Sequence, residues 1–206
     1  MLALSRTGAG AFDGPVRTGK IDIEDEASIE AAFRDEGPFD LVFVATGVLH
    51  GDGFQPEKTW RQIDAEAFAR VFAINATGPA LVAKHALPKL RDDAKSVFAA
   101  LSARVGSISD NGFGGWHAYR ASKAALIMLI KNFAIELARK NERAIAVGLH
   151  PGTVDTALSE PFQRNVAEGK LFTPDYSAER LLAVIDGLKA ESSGRCFAWD
   201  GEEIAP

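Results

Sequence analysis

Tyr119 and Lys123 stand four residues apart in Tyr-Arg-Ala-Ser-Lys, a spacing that on a helix puts both side chains on one face, one turn apart. A phenol with a pKa near ~10 is a poor proton donor at neutral pH and a worse base. An ammonium within ~4–6 Å favours the phenolate, which makes the hydroxyl usable as an acid in one direction and a base in the other. The chemistry on offer is proton transfer at an oxygen. Alone the pair is weak evidence, because Tyr and Lys at this spacing also occur on exposed helices where they meet only solvent.

Two neighbouring segments sharpen it. In Phe72-Ala-Ile-Asn75-Ala-Thr-Gly78-Pro79 the proline lacks the N–H that would bond the carbonyl of Asn75, a break worth about 3 kcal/mol unless another group uses the freed acceptor. A bound water is one candidate; a simple bend of the helix around a sheet is the other. The segment from Leu101 to Ser109 follows an apolar run and lays Ser102 and Ser107 at its end, a place suited to polarising a carbonyl, although loop serines are equally ordinary turn residues.

Positioning these groups requires alternating strands and helices. Short apolar runs at 2–5, 40–45, 96–101, 144–149 and 195–199 read as strands, with a further short strand at 21–23. Helical periodicity covers 25–34, 65–90, 117–140 and 177–189, with Asp25 and Ser177 as N-caps. The rhythm predicts a doubly wound, Rossmann-type, mostly parallel sheet with helices on both faces. No repeat, low-complexity tract or linker divides the chain, so residues 1–206 read as one domain. The unpatterned stretches 47–60 and 150–174 each follow a strand, where ligands sit in such folds. Residues 158–174 are expected to form a lid with a short turn of helix near Phe162.

The composition narrows the function classes. With 206 residues, 47% hydrophobic and 25% charged, disordered, collagenous and disulfide-stapled classes are excluded. A net charge of −5 gives no nucleic-acid surface. The single cysteine, Cys196, fits a reducing compartment. No secretory or membrane-spanning pattern is found, the apolar stretch 124–130 being too short, and a cytoplasmic location is expected. His50, His85, His117 and His150 lack metal-ligand spacing with Cys or carboxylates, so no metal is expected.

Taken together, Asn75, a serine after the following strand, Tyr119-x-x-x-Lys123 and then His150-Pro151-Gly152-Thr153 resemble the short-chain dehydrogenase/reductase family. Pro56-Glu-Lys, Gly106-Ser-Ile-Ser-Asp-Asn and Tyr-Arg-Ala-Ser-Lys-Ala-Ala-Leu resemble its C-factor and carbonyl-reductase-like branch. The resemblance implies a nicotinamide cofactor and reversible hydride transfer between it and a carbonyl or alcohol. It implies Tyr119 as general acid/base, Lys123 as the group that lowers its pKa and holds the nicotinamide ribose, and Asn75 as holder of a relay water. Pro151, Gly152, Thr153 and Val154 would seat the nicotinamide amide, with Thr156 as a further contact. Ala45, Thr46 and Gly47 match the strand end beside the adenosine ribose, and Asp22 with Ile23 the adenine side. Arg6, after the first strand where an acid would hold the 2′-hydroxyl of NAD, favours NADP over NAD.

Two departures stand out. Where the family commonly has a serine pair, this chain has Ser102-Ala103, so the catalytic serine is assigned to Ser102, with Ser107 the alternative. The glycine-rich loop, with its preceding strand and following helix, is absent. Thr7-Gly8-Ala9-Gly10 is rejected as a substitute because no helical pattern follows it. In the order 3-2-1-4-5-6 the missing strand is central. The runs at Leu2 and Leu41 must then pair directly, accept a strand from another chain, or leave a gap. An N-terminally truncated domain, with the natural product beginning upstream of Met1, is the expectation.

The leading reading is an NADP-dependent oxidoreductase of small carbonyls or alcohols. The alternative is a non-catalytic nucleotide-sensing or cell-signalling protein on the same scaffold. Trp116, Phe162 and Phe172 are candidate pocket walls. The long helices 65–90 and 117–140 are apolar over more than one face, which predicts a homodimer through them.

Overall fold

The computed structural model describes residues 1–10, 12 and 14–206. In chain order its elements are β1 (Leu2–Ser5), β2 (Arg17–Lys20), α1 (Glu26–Phe33), β3 (Leu41–Val44), α2 (Ala65–Phe72), α3 (Gly78–Ala86), β4 (Ser96–Leu101), α4 (His117–Leu137) and β5 (Ala144–His150). They continue with β6 (Thr153–Val154), β7 (Leu171–Phe172), α5 (Pro174–Gly187), β8 (Cys196–Ala198) and β9 (Glu203–Ile204).

The central strands are apolar on both sides of the pleat, and such strands need cover on both faces. β3, β4, β5 and β8 run parallel in that order, and β9 closes the edge antiparallel. Alternation along β4 and β5 sorts the core. Phe98, Ala100, Ala144 and Ala146 face Val82 and Ala83 of α3 and Leu126 and Ile130 of α4. Val97, Ala99, Ile145, Val147 and Leu149 face Leu181 and Ile185 of α5. The result is a Rossmann-like α/β fold with helices on both faces of a mostly parallel sheet, which places the carboxyl ends of β3, β4 and β5 along one edge.

Two local expectations are corrected. The short strand lies at Arg17–Lys20 rather than 21–23: its main chain pairs with β1, Leu2 opposite Arg17, and Ile21 makes the last main-chain bond to β1 before Ile21 and Ile23 bury their side chains in the core. The last helix begins at Pro174, capped by the Thr173 hydroxyl, which accepts from Tyr176 N–H. Proline at the first helical position needs no N–H partner, and so the start moves upstream of Ser177. The Ser177 hydroxyl instead donates to the Pro151 carbonyl at 2.9 Å. Asp25 does cap α1, accepting from Ala27 N–H at 3.0 Å.

Of the three outcomes open for the strands at Leu2 and Leu41, the structure takes the gap. β1 and β2 form a separate two-stranded parallel sheet, and β3 is the edge of the five-stranded one. Arg17 N–H bonds the Met1 carbonyl and Ile21 N–H the Ser5 carbonyl, so alternation turns the main-chain groups of Leu2 and Leu4 away from β2. Val97 N–H bonds the Asp40 carbonyl, so those of Leu41 and Phe43 turn away from β4. Leu2, Leu4, Leu41 and Phe43 all line a cavity of about 1210 Å³ between the two sheets.

Candidate active site

The break at Pro79 is resolved as a π-turn. α2, capped by the Asp64 carboxylate, runs into Ala73–Thr77, where Gly78 N–H bonds the Ala73 carbonyl five residues back, and α3 starts with Pro79 in its first turn. A residue inserted into a helix this way is pushed out of the regular ladder, and such turns recur at functional sites. Asn75 sits in it, fully buried. Its side chain accepts from Val48 N–H at 2.8 Å, donates to the Val48 carbonyl at 2.8 Å and donates to the Ser122 hydroxyl at 3.1 Å. The amide therefore clamps the loop after β3 to α4.

Tyr119 and Lys123 lie one turn apart on α4, both buried, with the Lys123 ammonium 5.7 Å from the centre of the Tyr119 ring. The Tyr119 hydroxyl has no hydrogen-bond partner among the described residues. Lys123 Nζ donates to the Leu101 carbonyl at 2.7 Å. The tyrosine shift runs opposite to the direction expected from the lysine. Burial pushes Tyr119 up to about 12, because the phenolate loses water while the ammonium is aimed at Leu101. Burial pushes Lys123 down to about 8, which still leaves it charged at neutral pH.

Ser102 follows β4 with its hydroxyl buried and without a hydrogen-bond partner, next to the Cys196 thiol. Burial pushes that thiol up to about 12, and the adjacent Ser102 hydroxyl first, then the Arg104 guanidinium and Lys123, act against the shift. The alternative, Ser107, is committed to a turn: its hydroxyl accepts from Asp110 N–H at 3.1 Å. Ser102 thus has the unspent hydroxyl, though it is not open to solvent.

After β5, the Pro151–Val154 turn is held from below. Gly152 has φ 77°, and a Cβ there would come 2.5 Å from the Phe172 ring, so only glycine lets the turn rest on that ring. Phe172 itself packs against Trp199 and Tyr176, which makes it a support for the turn rather than the pocket wall expected. Thr153 and Val154 pair with Leu171 and Phe172. Thr156 is exposed, and its hydroxyl reaches the Val154 carbonyl at 3.4 Å. The segment beyond contains a 3₁₀ turn at Glu160–Asn165. From it Phe162 packs 5.0 Å from Trp116, which in turn stands 6.3 Å from Tyr119. His50 ties this segment to the loop after β3 by contacts to the Ala157 and Leu158 carbonyls at 3.2 and 3.1 Å.

The other expected residues meet at the cavity beside β3. Arg6, Asp22, Ile23, Ala45, Thr46 and Gly47 all line it. Arg6 is exposed and has no ion-pair partner among the described residues. Asp22 accepts from Glu24 N–H at 3.0 Å, so part of its carboxylate serves a turn. Gly47 joins the two halves of the site. A Cβ there would lie 3.5 Å from both Asn75 Oδ1 and Lys123 Nζ, so the glycine leaves the approach to the lysine open.

The sequence reading missed Glu57, His50 and Ser177 as structural partners of the site. Their partners, Ala118, the carbonyls at 157 and 158, and Pro151, are 61, 107, 108 and 26 residues away. No local pattern marks such contacts. Trp116 and Phe162, taken only as candidate walls, do meet beside Tyr119.

Residues 6–181 match the sequence profile of the enoyl-(acyl carrier protein) reductase family. Over 142 residues, 69% of this chain and 80% of the relative, the chain is 41% identical to the C-signal protein of Myxococcus xanthus. It is 33% identical over 185 residues, 88% of this chain and 76% of the relative, to 1-hydroxy-2-glutathionyl-2-methyl-3-butene dehydrogenase of Rhodococcus sp. (strain AD45). NADPH-bound carbonyl reductase from chicken fatty liver superposes with a TM-score of 0.78 at 24% identity, covering 93% of this chain and 77% of that one. The carbonyl reductase Sniffer of D. melanogaster gives 0.76 at 22% identity, covering 93% and 78%. These two structures share the fold.

Proposed function

Because the chain belongs to the short-chain dehydrogenase/reductase family, which includes oxidoreductases, we propose that it interconverts a small carbonyl compound and its alcohol with NADP. The observation that carries this reading is that Gly47, which lies against Asn75 and Lys123, lines the same cavity as Arg6.

The residues fit such a cofactor at its two ends. The opening left by Gly47 beside Lys123 suits the nicotinamide ribose, the Pro151–Val154 turn and Thr156 its amide, and Asp22, Ile23, Ala45 and Thr46 the adenosine. Arg6 would hold the 2′-phosphate of NADP, at a position where an NAD site would carry an acid for the 2′-hydroxyl. No glycine-rich turn opening a helix lines the cavity among the described residues, which therefore give the diphosphate no dedicated seat.

When bound, NADPH supplies the hydride that reaches the carbonyl carbon. Tyr119 gives its hydroxyl proton to the carbonyl oxygen, and the Lys123 ammonium stabilises the phenolate that remains. Ser102, with its unspent hydroxyl, polarises the carbonyl. Asn75 offers its main-chain carbonyl, relieved of Pro79 as a donor, to the water that returns a proton toward Lys123. Trp116 and Phe162 wall the substrate, which favours a small, partly apolar carbonyl.

Met128 and Ile135, exposed at 62% and 45% on one side of α4, support a homodimer through that helix. No helix among the described residues is long and apolar enough to cross a membrane.

The absent diphosphate seat favours a second reading, a non-catalytic nucleotide-sensing or signalling protein, and a relative named for a signal is consistent with it. A fluorescence titration with NADPH and NADH, followed by carbonyl reduction assays on Tyr119→Phe, separates the two. Saturable NADPH-selective binding and a loss of turnover of roughly 10²–10⁴-fold in the variant support the enzyme. Binding to neither dinucleotide overturns it.

A further inference from the structure

We propose that Glu57 is a positioning residue for this site: its carboxylate and its own carbonyl together fix the first turn of α4, and with it Trp116 and Tyr119. The catalytic consequence rests on the oxidoreductase reading above; the hold itself does not.

Glu57 is only 5% exposed. A buried carboxylate needs a cation or donors aimed at it, and no lysine, arginine or histidine forms an ion pair with Glu57 among the described residues. Its partner is the main chain. Both carboxylate oxygens accept from Ala118 N–H at 3.3 Å, and its carbonyl accepts from Trp116 N–H at 2.5 Å.

That partnership fills a vacancy the local sequence leaves. A helix start has unpaired N–H groups and the positive end of the macrodipole, which Ser, Thr, Asp or Asn at the N-cap normally serves. Here the N-cap is Trp116, whose side chain cannot accept, and none of the residues in the first turn is acidic. An anionic acceptor arrives instead from 61 residues upstream.

The geometry of the entry goes beyond simple capping. Trp116 is in the left-handed region, φ 49° and ψ 46°, a conformation that a bulky residue adopts only when its surroundings impose it. Gly114 and Gly115 precede it with φ 66° and 67°, and a Cβ on Gly115 would sit 3.3 Å from the Glu57 carbonyl oxygen. The chain is bent onto Glu57, and the bend aims the Trp116 ring at Phe162 and Tyr119. Tyr119 belongs to the same turn. With no hydrogen-bond partner for its hydroxyl among the described residues, its placement follows from where the helix begins.

The test compares the full chain with Glu57→Ala and Glu57→Gln. Gln keeps an acceptor for Ala118 N–H and leaves the main-chain bond intact. The readouts are the NMR signal of the Trp116 indole, hydrogen exchange at the Ala118 and Tyr119 amides, and kcat and KM for reduction of a panel of small aldehydes and ketones by NADPH. In Glu57→Ala the indole signal should shift, exchange at both amides should accelerate about tenfold or more, and kcat should fall by about tenfold with KM for NADPH changed less than about threefold. Glu57→Gln should recover most of each. If Glu57→Ala does not fold, Glu57→Asp, which draws the carboxylate back by one methylene, carries the same expectations. An unmoved indole signal and unchanged exchange overturn the proposal, and so does an altered turn with kcat intact. A parent chain that reduces no carbonyl sinks the oxidoreductase reading instead, while the NMR readouts still decide whether Glu57 holds the turn.

Discussion

The side-chain amide of Asn75 grips the main chain of Val48 at both ends, accepting its N–H and donating to its carbonyl, each at 2.8 Å. A π-turn in the helix and the loop after β3 are thereby fixed to each other across the sheet edge, and Gly47 is held over Lys123.

Asn75→Ala removes three hydrogen bonds and leaves the Val48 main chain without its partner. Unfolding in urea should show a loss of about 2–4 kcal/mol, the usual cost of orphaning buried polar groups. Carbonyl reduction should fall by more than about tenfold, because loosening residue 48 frees the segment that lies against Lys123. A stability change within about 0.5 kcal/mol, the range of an ordinary surface substitution, would show that the clamp is not formed.

Lys123 gives a pH signature with a definite sign. Its folded pKa, about 8, lies below the 10.5 of the free side chain, so between these values the unfolded chain binds more protons and stability rises with pH. Cys196 and Tyr119 have folded values of about 12 against 9.0 and 10.0 and act the opposite way above pH 9. The rise should therefore be cleanest between pH 8 and 9. Lys123→Met should be more stable than the parent at pH 7, lose that rise, and lose activity. In the parent, reduction should decline above pH 8 as the ammonium that supports the phenolate is lost. Thermal melts of both chains from pH 7 to 9 check the first point, and kcat/KM over the same range, which reports the groups of the enzyme before substrate binds, checks the second.

Arg6 should decide between the two dinucleotides. A charge-assisted bond contributes about 1.5–3 kcal/mol, so Arg6→Ala should raise the Kd for NADPH by roughly 10–100-fold and change that for NADH less than about threefold. Equal weakening of both would assign Arg6 to general electrostatic attraction.

Much of this architecture is legible in the sequence, for identifiable reasons. The strands at 96–101 and 144–149 are apolar runs whose period and composition dominate any local alternative, and the Tyr119–Lys123 pair needs only a helix to be brought together. Three kinds of feature were not legible. Ser177 looks like a cap, but Pro174 supplies a better start three residues earlier, and the serine's hydroxyl is drawn off to Pro151. Tyr119 was expected to titrate low beside a lysine, but burial and the aim of Lys123 at Leu101 set the direction, and both depend on packing. Glu57 is marked only by the Pro56-Glu-Lys resemblance, which says nothing of its role, because its partner lies on a helix that the sequence offers no reason to bring near. The absence of a central strand was legible but left three outcomes open, and only the structure selects the gap, with its cavity, beside β3.

That cavity makes a prediction about main-chain groups. Leu4, Leu41 and Phe43 present N–H groups away from their paired neighbours and toward the gap, while Val42 and Val44 present theirs to β4. Hydrogen exchange followed by NMR should therefore alternate along β3, fast at 41 and 43 and slow at 42 and 44, with separations of about 10²-fold or more, since the paired amides open only with the sheet core. Leu4 should exchange as fast as its counterparts across the gap. Protection at all three positions would mean that the gap is closed in solution by pairing of β1 with β3 or by an added strand, and a parallel strand between them would protect both edges at once. Direct pairing would remove the volume in which Arg6, Asp22 and Gly47 meet, so the same exchange experiment also tests whether the proposed cofactor cleft is open.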